Sequence, residues 1–394
     1  MSNLEQLYQL KDKNSLVVAG VLSGTSADGI DVAMVRFGGP VDSLNCADLL
    51  ASKTYPYSKD TAQLLALLPN LTVEQVSVLN YLVAKDFADA INKLSIDSKV
   101  DFDLVGSHGQ TIFHHSSAPS GLSKSHPSTL QVGNGAVLAT ILKKPVVYDF
   151  RANDIANGGQ GAPLTPATDY YLYRNMKDSN GNKIDAILNL GGIGNLTVFS
   201  DSIEKILGFD TGPANAPIDR LVRIYTSGKQ NYDVNGKLGF SGVVNQELIK
   251  KLLNNDTFVK KNPPKSSGFE AYGDQFVQFL IQEHGKPVDQ NLIATATSYV
   301  AHTVAYSVKN YINTTVKNIV VAGGGARNDF LMKELQSLLP SMQIVTSDAV
   351  GISGDFREAT AFALLGYANI KGFKFNLSSI TGSCRPSILG CIAL

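Results

Sequence analysis

Three short segments of this chain have the residue types and spacing to handle a phosphate. In the first, Gly208-Phe-Asp-Thr-Gly-Pro213, an apolar run ends in Asp210, followed by Thr211 and Gly212. A carboxylate at a strand end lies where α/β proteins bind ligands. Asp210 could hold Mg²⁺ or act as a general base, and an Asx turn would use the same residues. In the second, Ser23-Gly-Thr-Ser-Ala-Asp-Gly29, Gly24, Thr25, Ser26 and Gly29 form a tight turn leading to Asp31. Such a turn aims backbone N–H groups and hydroxyls at an anion, and Asp28 could hold Mg²⁺ on the phosphate oxygens. The Gly-Lys-Ser/Thr of a P-loop is missing, and ordinary hairpin turns use the same small residues. In the third, Ala322-Gly-Gly-Gly-Ala-Arg-Asn328, Gly323, Gly324 and Gly325 let a flat adenosine lie against the backbone. Arg327 could stack on its base or reach a phosphate. Asn328 stands where the dinucleotide fingerprint needs glycine, which argues against hydride transfer.

Other patches carry less. Asn157-Gly-Gly-Gln-Gly-Ala-Pro163 is a polar glycine loop suited to sugar hydroxyls, and Pro263–Gly268 reads as a rigid loop presenting Lys265. His108, His114 and His115 match no zinc spacing, so substrate contact is the better role for one or two of them. Glu358 opens a helix, where a carboxylate favours the dipole, or it is a second site carboxylate.

These groups need strands and helices to hold them. Leu16–Leu22 and Ile30–Phe37 read as the two strands of a hairpin around the first turn. Thr72-Val-Glu-Gln75 reads as a capping box opening a helix to about Leu94. Asp103–Gly106 and Pro145–Phe150 read as strands, and 116–128 as a Ser/Pro/Gly-rich loop. Asp185–Leu190 and Asn195–Phe199 flank a second glycine hairpin, Gly191 to Gly194. Ile206–Phe209 and Ile319–Ala322 read as strands; Asn291–Val308 and Phe356–Gly366 read as helices. Alternating strands and helices make the class α/β. A glycine hairpin early in the first third and another in the middle of the chain suggest two related lobes, each starting with a β-meander.

The bulk numbers bound the rest. The chain has 394 residues, a length that suggests two domains. Lys plus Arg and Asp plus Glu are both 34, which removes the electrostatic argument for nucleic acid or an anionic membrane surface. Three cysteines are too few and too irregular for a disulfide framework. The polar start lacks a signal-peptide core, and no apolar run is long enough to span a membrane. A cytoplasmic location is expected.

In order along the chain, these pieces resemble the anhydro-N-acetylmuramic acid kinase family. The resemblance includes Ser23–Asp31, Ser107-His-Gly-Gln-Thr-Ile112, Leu130-Gln-Val-Gly-Asn134, Asp149-Phe-Arg151 and Gly158–Leu164. It continues through Asn189–Thr197, Asp210-Thr-Gly-Pro213, Pro263–Gly268, Gly323–Asn328 and Thr381–Pro386. It implies a two-lobed actin-like ATPase (ribonuclease H-like) fold with its active site in the interlobe cleft. It also implies ATP and Mg²⁺, and an enzyme that opens a 1,6-anhydro sugar with water and phosphorylates the freed O6.

On that resemblance Asp210 is the general base and Glu358 the second catalytic carboxylate. The 24–31 turn with Asp28, the pair Gly191 and Gly192, Thr211, Gly212 and the 323–328 segment hold ATP. His108, Gln110, Thr111, Asn134, Arg151, Gln160 and Pro163 contact the sugar. The family suggests a homodimer. Residues 1–130 form the first lobe, to which about 370–394 return, and 131–369 form the second. Phe113 stands where the family commonly has Arg, and Ala214 where it commonly has Gly. Levoglucosan kinase, a non-catalytic sugar or ATP sensor, and a plain glycoside hydrolase using Asp210 and Glu358 are the competing readings.

Overall fold

The computed structural model describes residues 3–24, 27, 29–44, 46–68, 70–115, 127–178, 180–263, 265, 267, 269–351 and 353–394. They form two compact units, Met1–Asn175 with Phe356–Leu394, and Met176–Asp355. The division therefore falls after Asn175 and Asp355, and not after 130 and about 369 as the sequence suggested. The reason is pairing. A strand of only three residues, Val146–Tyr148, joins the first sheet, and the helix Arg357–Ile370 packs on that same sheet.

The first unit is built on strands β1 (Ser15–Ser23), β2 (Ile30–Gly38), β3 (Cys46–Tyr55), β4 (Leu104–His115), β5 (Ser128–Val132) and β6 (Val146–Tyr148). In the second lie β7 (Ala186–Leu190), β8 (Ile193–Val198), β9 (Leu207–Pro213), β10 (Asn318–Ala322) and β11 (Gln343–Thr346). The last strand, β12 (Cys391–Ala393), returns to the first sheet beside β6. The first sheet runs β12-β6-β4-β1-β2-β3, with β5 paired to β4; the second runs β11-β10-β7-β8-β9. Each begins with an antiparallel three-strand meander and continues with two parallel strands beside the first strand of the meander. The same strand order, a three-strand meander followed by two parallel strands, thus occurs once in each unit.

Strand β1 is buried on both faces because each face is covered by helix. On one side the helix Val73–Ser98 contributes Leu79, Val83, Phe87 and Ile91 to a core shared with Val21, Val32 and Val105. Its start is the expected capping box: Gln75 N–H donates to Thr72 Oγ1 at 3.2 Å, and Thr72 N–H to Gln75 Oε1 at 2.8 Å. On the other side the helix Arg357–Ile370 lies so close that a Cβ at Gly20 or Gly106 would strike the carbonyls of Ala359 or Phe362. Those glycines set the seating of this helix, and with it the position of Glu358. In the second unit the helix Gln290–Tyr311 fills the core with Tyr299, Val300 and Val304 against Leu188, Leu196, Phe209 and Val321.

Candidate active site

In the first unit the sequence motifs converge on a buried polar cluster. His108, near the middle of β4, is buried and rests on the Phe362 ring, with centroids 4.3 Å apart. Arg151 Nε donates to His108 Nε2 at 3.0 Å. The imidazole proton therefore sits on Nδ1, which faces the Gly109 carbonyl at 3.1 Å. Burial, reinforced by the Arg151 charge, holds the His108 pKa well below its usual value, so the ring is neutral. Burial also lowers Arg151 to about 10, with Glu358 and Asp154 acting in the opposite direction. Arg151 is thus a cation at neutral pH, within electrostatic reach of the exposed Glu358 carboxylate. Its Nη1 donates to the Gly161 carbonyl at 2.8 Å, tying it to the glycine loop.

That loop is organised from beneath by Asp154, a residue the motif reading did not single out. Asp154 is fully buried. It accepts from Gly161 N–H at 2.7 Å and from the Thr381 hydroxyl at 2.7 Å. Gln160 N–H donates to the Thr381 carbonyl at 3.1 Å, while the Gln160 side chain and Pro163 face solvent. The loop and the Thr381–Pro386 tail are thus one structure, which explains why both carry recognisable motifs.

Gln110, Thr111 and Asn134 are engaged by the protein. Gln110 donates from Nε2 to the Gly24 carbonyl at 3.0 Å and to the Thr111 carbonyl at 3.1 Å, and accepts from Tyr57 OH at 3.1 Å. It therefore braces the start of the turn between β1 and β2. Thr111 Oγ1 accepts from Gln131 Nε2 at 3.2 Å. Asn134 caps the helix Gly135–Leu142, accepting from Ala136 and Val137 N–H at 3.0 and 3.1 Å. At the turn itself, Ala27 N–H closes onto the Gly24 carbonyl at 3.1 Å, and Thr54 Oγ1 donates to the Asp31 carboxylate at 2.6 Å. Thr25, Ser26 and Asp28, expected at the phosphates and the metal, lie outside the described residues, as do residues 116–126 of the Ser/Pro/Gly-rich loop and the His115 side chain. His114 is exposed, with Nδ1 3.1 Å from Thr129 Oγ1. Phe113 is 48% exposed on β4.

In the second unit Asp210 stands on β9 opposite Asn195 of β8. Asn195 Nδ2 donates to its Oδ1 at 2.8 Å, and Ser267 N–H to its Oδ2 at 2.8 Å. A donor on each oxygen fixes the plane of the carboxylate. The neighbouring Thr211 hydroxyl is fully buried and makes no hydrogen bond among the described residues. The Gly191 and Gly192 carbonyls receive the first amides of the helix Asn215–Tyr225. Asn215 N–H reaches Gly191 at 2.8 Å, and Ala214 and Ala216 N–H reach Gly192 at 3.0 and 3.2 Å. Gly212, at φ +135°, packs against Thr303 and Val259.

The 323–328 segment is placed as expected, after β10 and before the helix Asp329–Leu338. Its glycines, however, are required by the protein itself. A Cβ at Gly323 would meet Asn189 Oδ1 and the Leu190 carbonyl at 2.8 Å, and one at Gly325 would meet the Leu190 Cβ at 2.5 Å. Gly324 packs on the Asn215 side chain. Arg327 pairs with Asp355 at the surface, and Asn328 caps the following helix through Leu331 N–H at 3.0 Å.

Lys265 departs furthest from the sequence reading. Instead of being presented by its loop, it is 5% exposed, with its ammonium inside the unit. Two further features went unread because their partners are far apart in sequence or lie on one helix without a motif. Arg357 and Asp169 form a buried two-pronged ion pair, Nε to Oδ1 at 2.9 Å and Nη2 to Oδ2 at 2.7 Å. Asp219 is pushed up to about 7 by burial and by Asp233, against the opposing pull of Arg223.

Known proteins match this arrangement along the whole chain. The family model for anhydro-N-acetylmuramic acid kinase matches residues 16–394. The chain is 38% identical to the anhydro-N-acetylmuramic acid kinase of Caldanaerobacter subterraneus subsp. tengcongensis, over 99% of this chain and 100% of that one. The enzyme of the same description from Microcystis aeruginosa is 37% identical over 95% of this chain and 99% of its own. One from Bacillus cereus is 35% identical over 95% and 98%.

Proposed function

The chain belongs to the anhydro-N-acetylmuramic acid kinase family, and on that premise we propose that it opens 1,6-anhydro-N-acetylmuramic acid with water and phosphorylates O6 from ATP. The products are N-acetylmuramic acid 6-phosphate and ADP. The observation that carries the reading is Asp210, a carboxylate in the middle of β9 that accepts from Asn195 Nδ2 on one oxygen and from Ser267 N–H on the other, in a chain of this family. The donors from Asn195 and Ser267, one on each oxygen, orient the carboxylate.

Asp210 takes a proton from water as the water oxygen attacks C1. The C1–O6 bond breaks and its electron pair stays on O6. O6 then attacks the γ-phosphorus, and the bond from that phosphorus to the bridging oxygen of ADP breaks. Asp210 acts as general base at a group within hydrogen-bonding reach. In the first unit, Arg151 supplies a fixed cation and His108 a neutral ring for the polar groups of the sugar, with Glu358 as the second carboxylate. The buried Thr211 hydroxyl, with no partner among the described residues, is a donor suited to a phosphate oxygen.

Mg²⁺ needs no all-protein cage, because it takes one or two carboxylates together with phosphate oxygens and water. Asp31, beside the first turn, is an oxygen donor of that kind, and Asp28 is the residue the family resemblance implies. When bound, Mg²⁺ offsets the charge on the transferring phosphoryl group. The protein works in the cytoplasm, as a homodimer on the family pattern. Among the described residues no helix is long and apolar enough to cross a membrane.

Asp210→Asn tests the base. Its amide keeps the size of the side chain and cannot accept the proton, so turnover should fall about 10²–10⁴-fold with ATP affinity retained. Turnover within threefold of wild type would remove Asp210 from this role.

A further inference from the structure

We infer that Lys265 is the positioning residue that holds the Asp210 carboxylate in its working orientation. The inference rests on the reading of Asp210 as the base and adds the device that fixes it. The Lys265 ammonium donates to the Val259 carbonyl at 2.8 Å and lies 3.3 Å from the Phe258 carbonyl. Three rings surround it, with Nζ 4.6 Å from the Tyr311 centroid, 5.1 Å from Phe258 and 5.7 Å from Phe209. Tyr311 OH donates to the same Val259 carbonyl at 2.9 Å. This is an anchorage for a cation, made of ring faces and carbonyl oxygens.

What it anchors is the segment that grips Asp210. The Lys265 carbonyl accepts from Asp210 N–H at 3.0 Å, and two residues on, Ser267 N–H donates to Asp210 Oδ2 at 2.8 Å. Phe209, part of the aromatic cage, immediately precedes Asp210 on β9. The side chain of Lys265 thus fixes a short loop whose backbone holds the base at two points, while Asn195 holds the other oxygen from β8. A buried lysine is costly unless its charge is compensated. Here burial lowers its pKa to about 8, while the charges of Asp256 and Asp210 act against that shift. Asp256 is itself held by Tyr272 OH at 2.9 Å and Tyr299 OH at 2.6 Å. The titratable groups around the pair are therefore Asp256, Tyr272, Tyr299 and Tyr311.

The test uses Lys265→Met, which keeps the length and apolar contacts of the stem and loses the ammonium. Its kcat for ADP release should fall about 10–100-fold, because a displacement near 1 Å at the base costs rate on that scale. The KM for ATP should stay within twofold. The acid limb of the kcat/KM profile should move to higher pH, because the carboxylate loses both the Ser267 N–H and a nearby cation. Hydrogen exchange of the intact enzyme, read in the peptide covering 258–272, should quicken at the Ser267 amide and leave β7 and β8 unchanged. Lys265→Arg keeps the charge, and should retain more activity than Lys265→Met if it still reaches the carbonyls.

Wild-type kcat in Lys265→Met would overturn the inference. So would a fall in rate with an unmoved acid limb and unchanged exchange at Ser267. If Asp210→Asn keeps turnover, the reading of the base has failed. If Asp210→Asn is inactive while Lys265→Met is normal, only the positioning role has failed.

Discussion

Removing one side of the Arg357–Asp169 pair should be the most damaging single change in the first unit outside the reaction site. The two side chains are 4% and 1% exposed and share two short hydrogen bonds. Burial disfavours the Arg357 charge, and Asp169 more than offsets it, raising the pKa of the guanidinium. Asp169→Asn leaves that charge buried without its counter-ion, at a cost of about 3–5 kcal/mol. Exchanging both partners in Asp169→Leu with Arg357→Met removes the uncompensated charge, and should recover most of the loss. With the matching single variants Asp169→Leu and Arg357→Met, the coupling between the two sites is the difference between the double and the summed single effects. Urea unfolding followed by tyrosine fluorescence suits a chain with 15 tyrosines and no tryptophan. Because the chain has two units, the transition to follow is the one that moves in the single variant. The pair also holds the first turn of the helix that carries Glu358, so Asp169→Asn should lower kcat as well. A loss below about 1 kcal/mol for Asp169→Asn would refute the account of this pair.

Other consequences follow from the site geometry. Asp219 binds its proton up to about pH 7 when folded and to about 3.8 when unfolded. Its contribution to stability is present below the unfolded value and lost as pH rises through 7, so Asp219→Asn should be the more stable protein at pH 8, on the order of 1–2 kcal/mol, and equal at pH 4. His108 works the other way: its folded pKa is depressed, so stability is full above about 6.5 and declines as pH falls below it. Thermal unfolding of wild type against His108→Gln between pH 7.5 and 5 should show wild type losing its advantage as acid is added. Asn134→Ala should cost about 1 kcal/mol through the lost helix cap, and Asn134→Asp should restore it.

Local chemistry was legible in the sequence; packing was not. The capping box at Thr72 and the two glycine hairpins could be read because each lies within a few consecutive residues. The same holds for the strand–turn–helix at 323–328, whereas the strand expected to end at Phe209 runs through Asp210 to Pro213. The division of the chain was misplaced because β6 is three residues long and gives no periodicity to read. Lys265 was misread because a lysine in a Pro- and Ser-rich loop normally faces water. Its cage comes from Phe209, Phe258 and Tyr311, which only the fold brings together. The glycines at 323–325 point to close approach, and the sequence could not say that the approaching surface is β7 and Asn215. The partners Asp169 and Arg357 are separated by the whole of the second unit, which no spacing rule spans.

The central claim is that this chain couples ring opening to phosphoryl transfer on an anhydro-muramic sugar. ADP release with Mg²⁺-ATP tests it most directly, with 1,6-anhydro-N-acetylmuramic acid, levoglucosan, N-acetylmuramic acid, N-acetylglucosamine, glucose or no sugar. The account predicts turnover with the anhydro-muramic sugar well above every other condition, and N-acetylmuramic acid 6-phosphate as the product. Turnover chiefly with levoglucosan, or no stimulation by any sugar while ATP still binds, would contradict it.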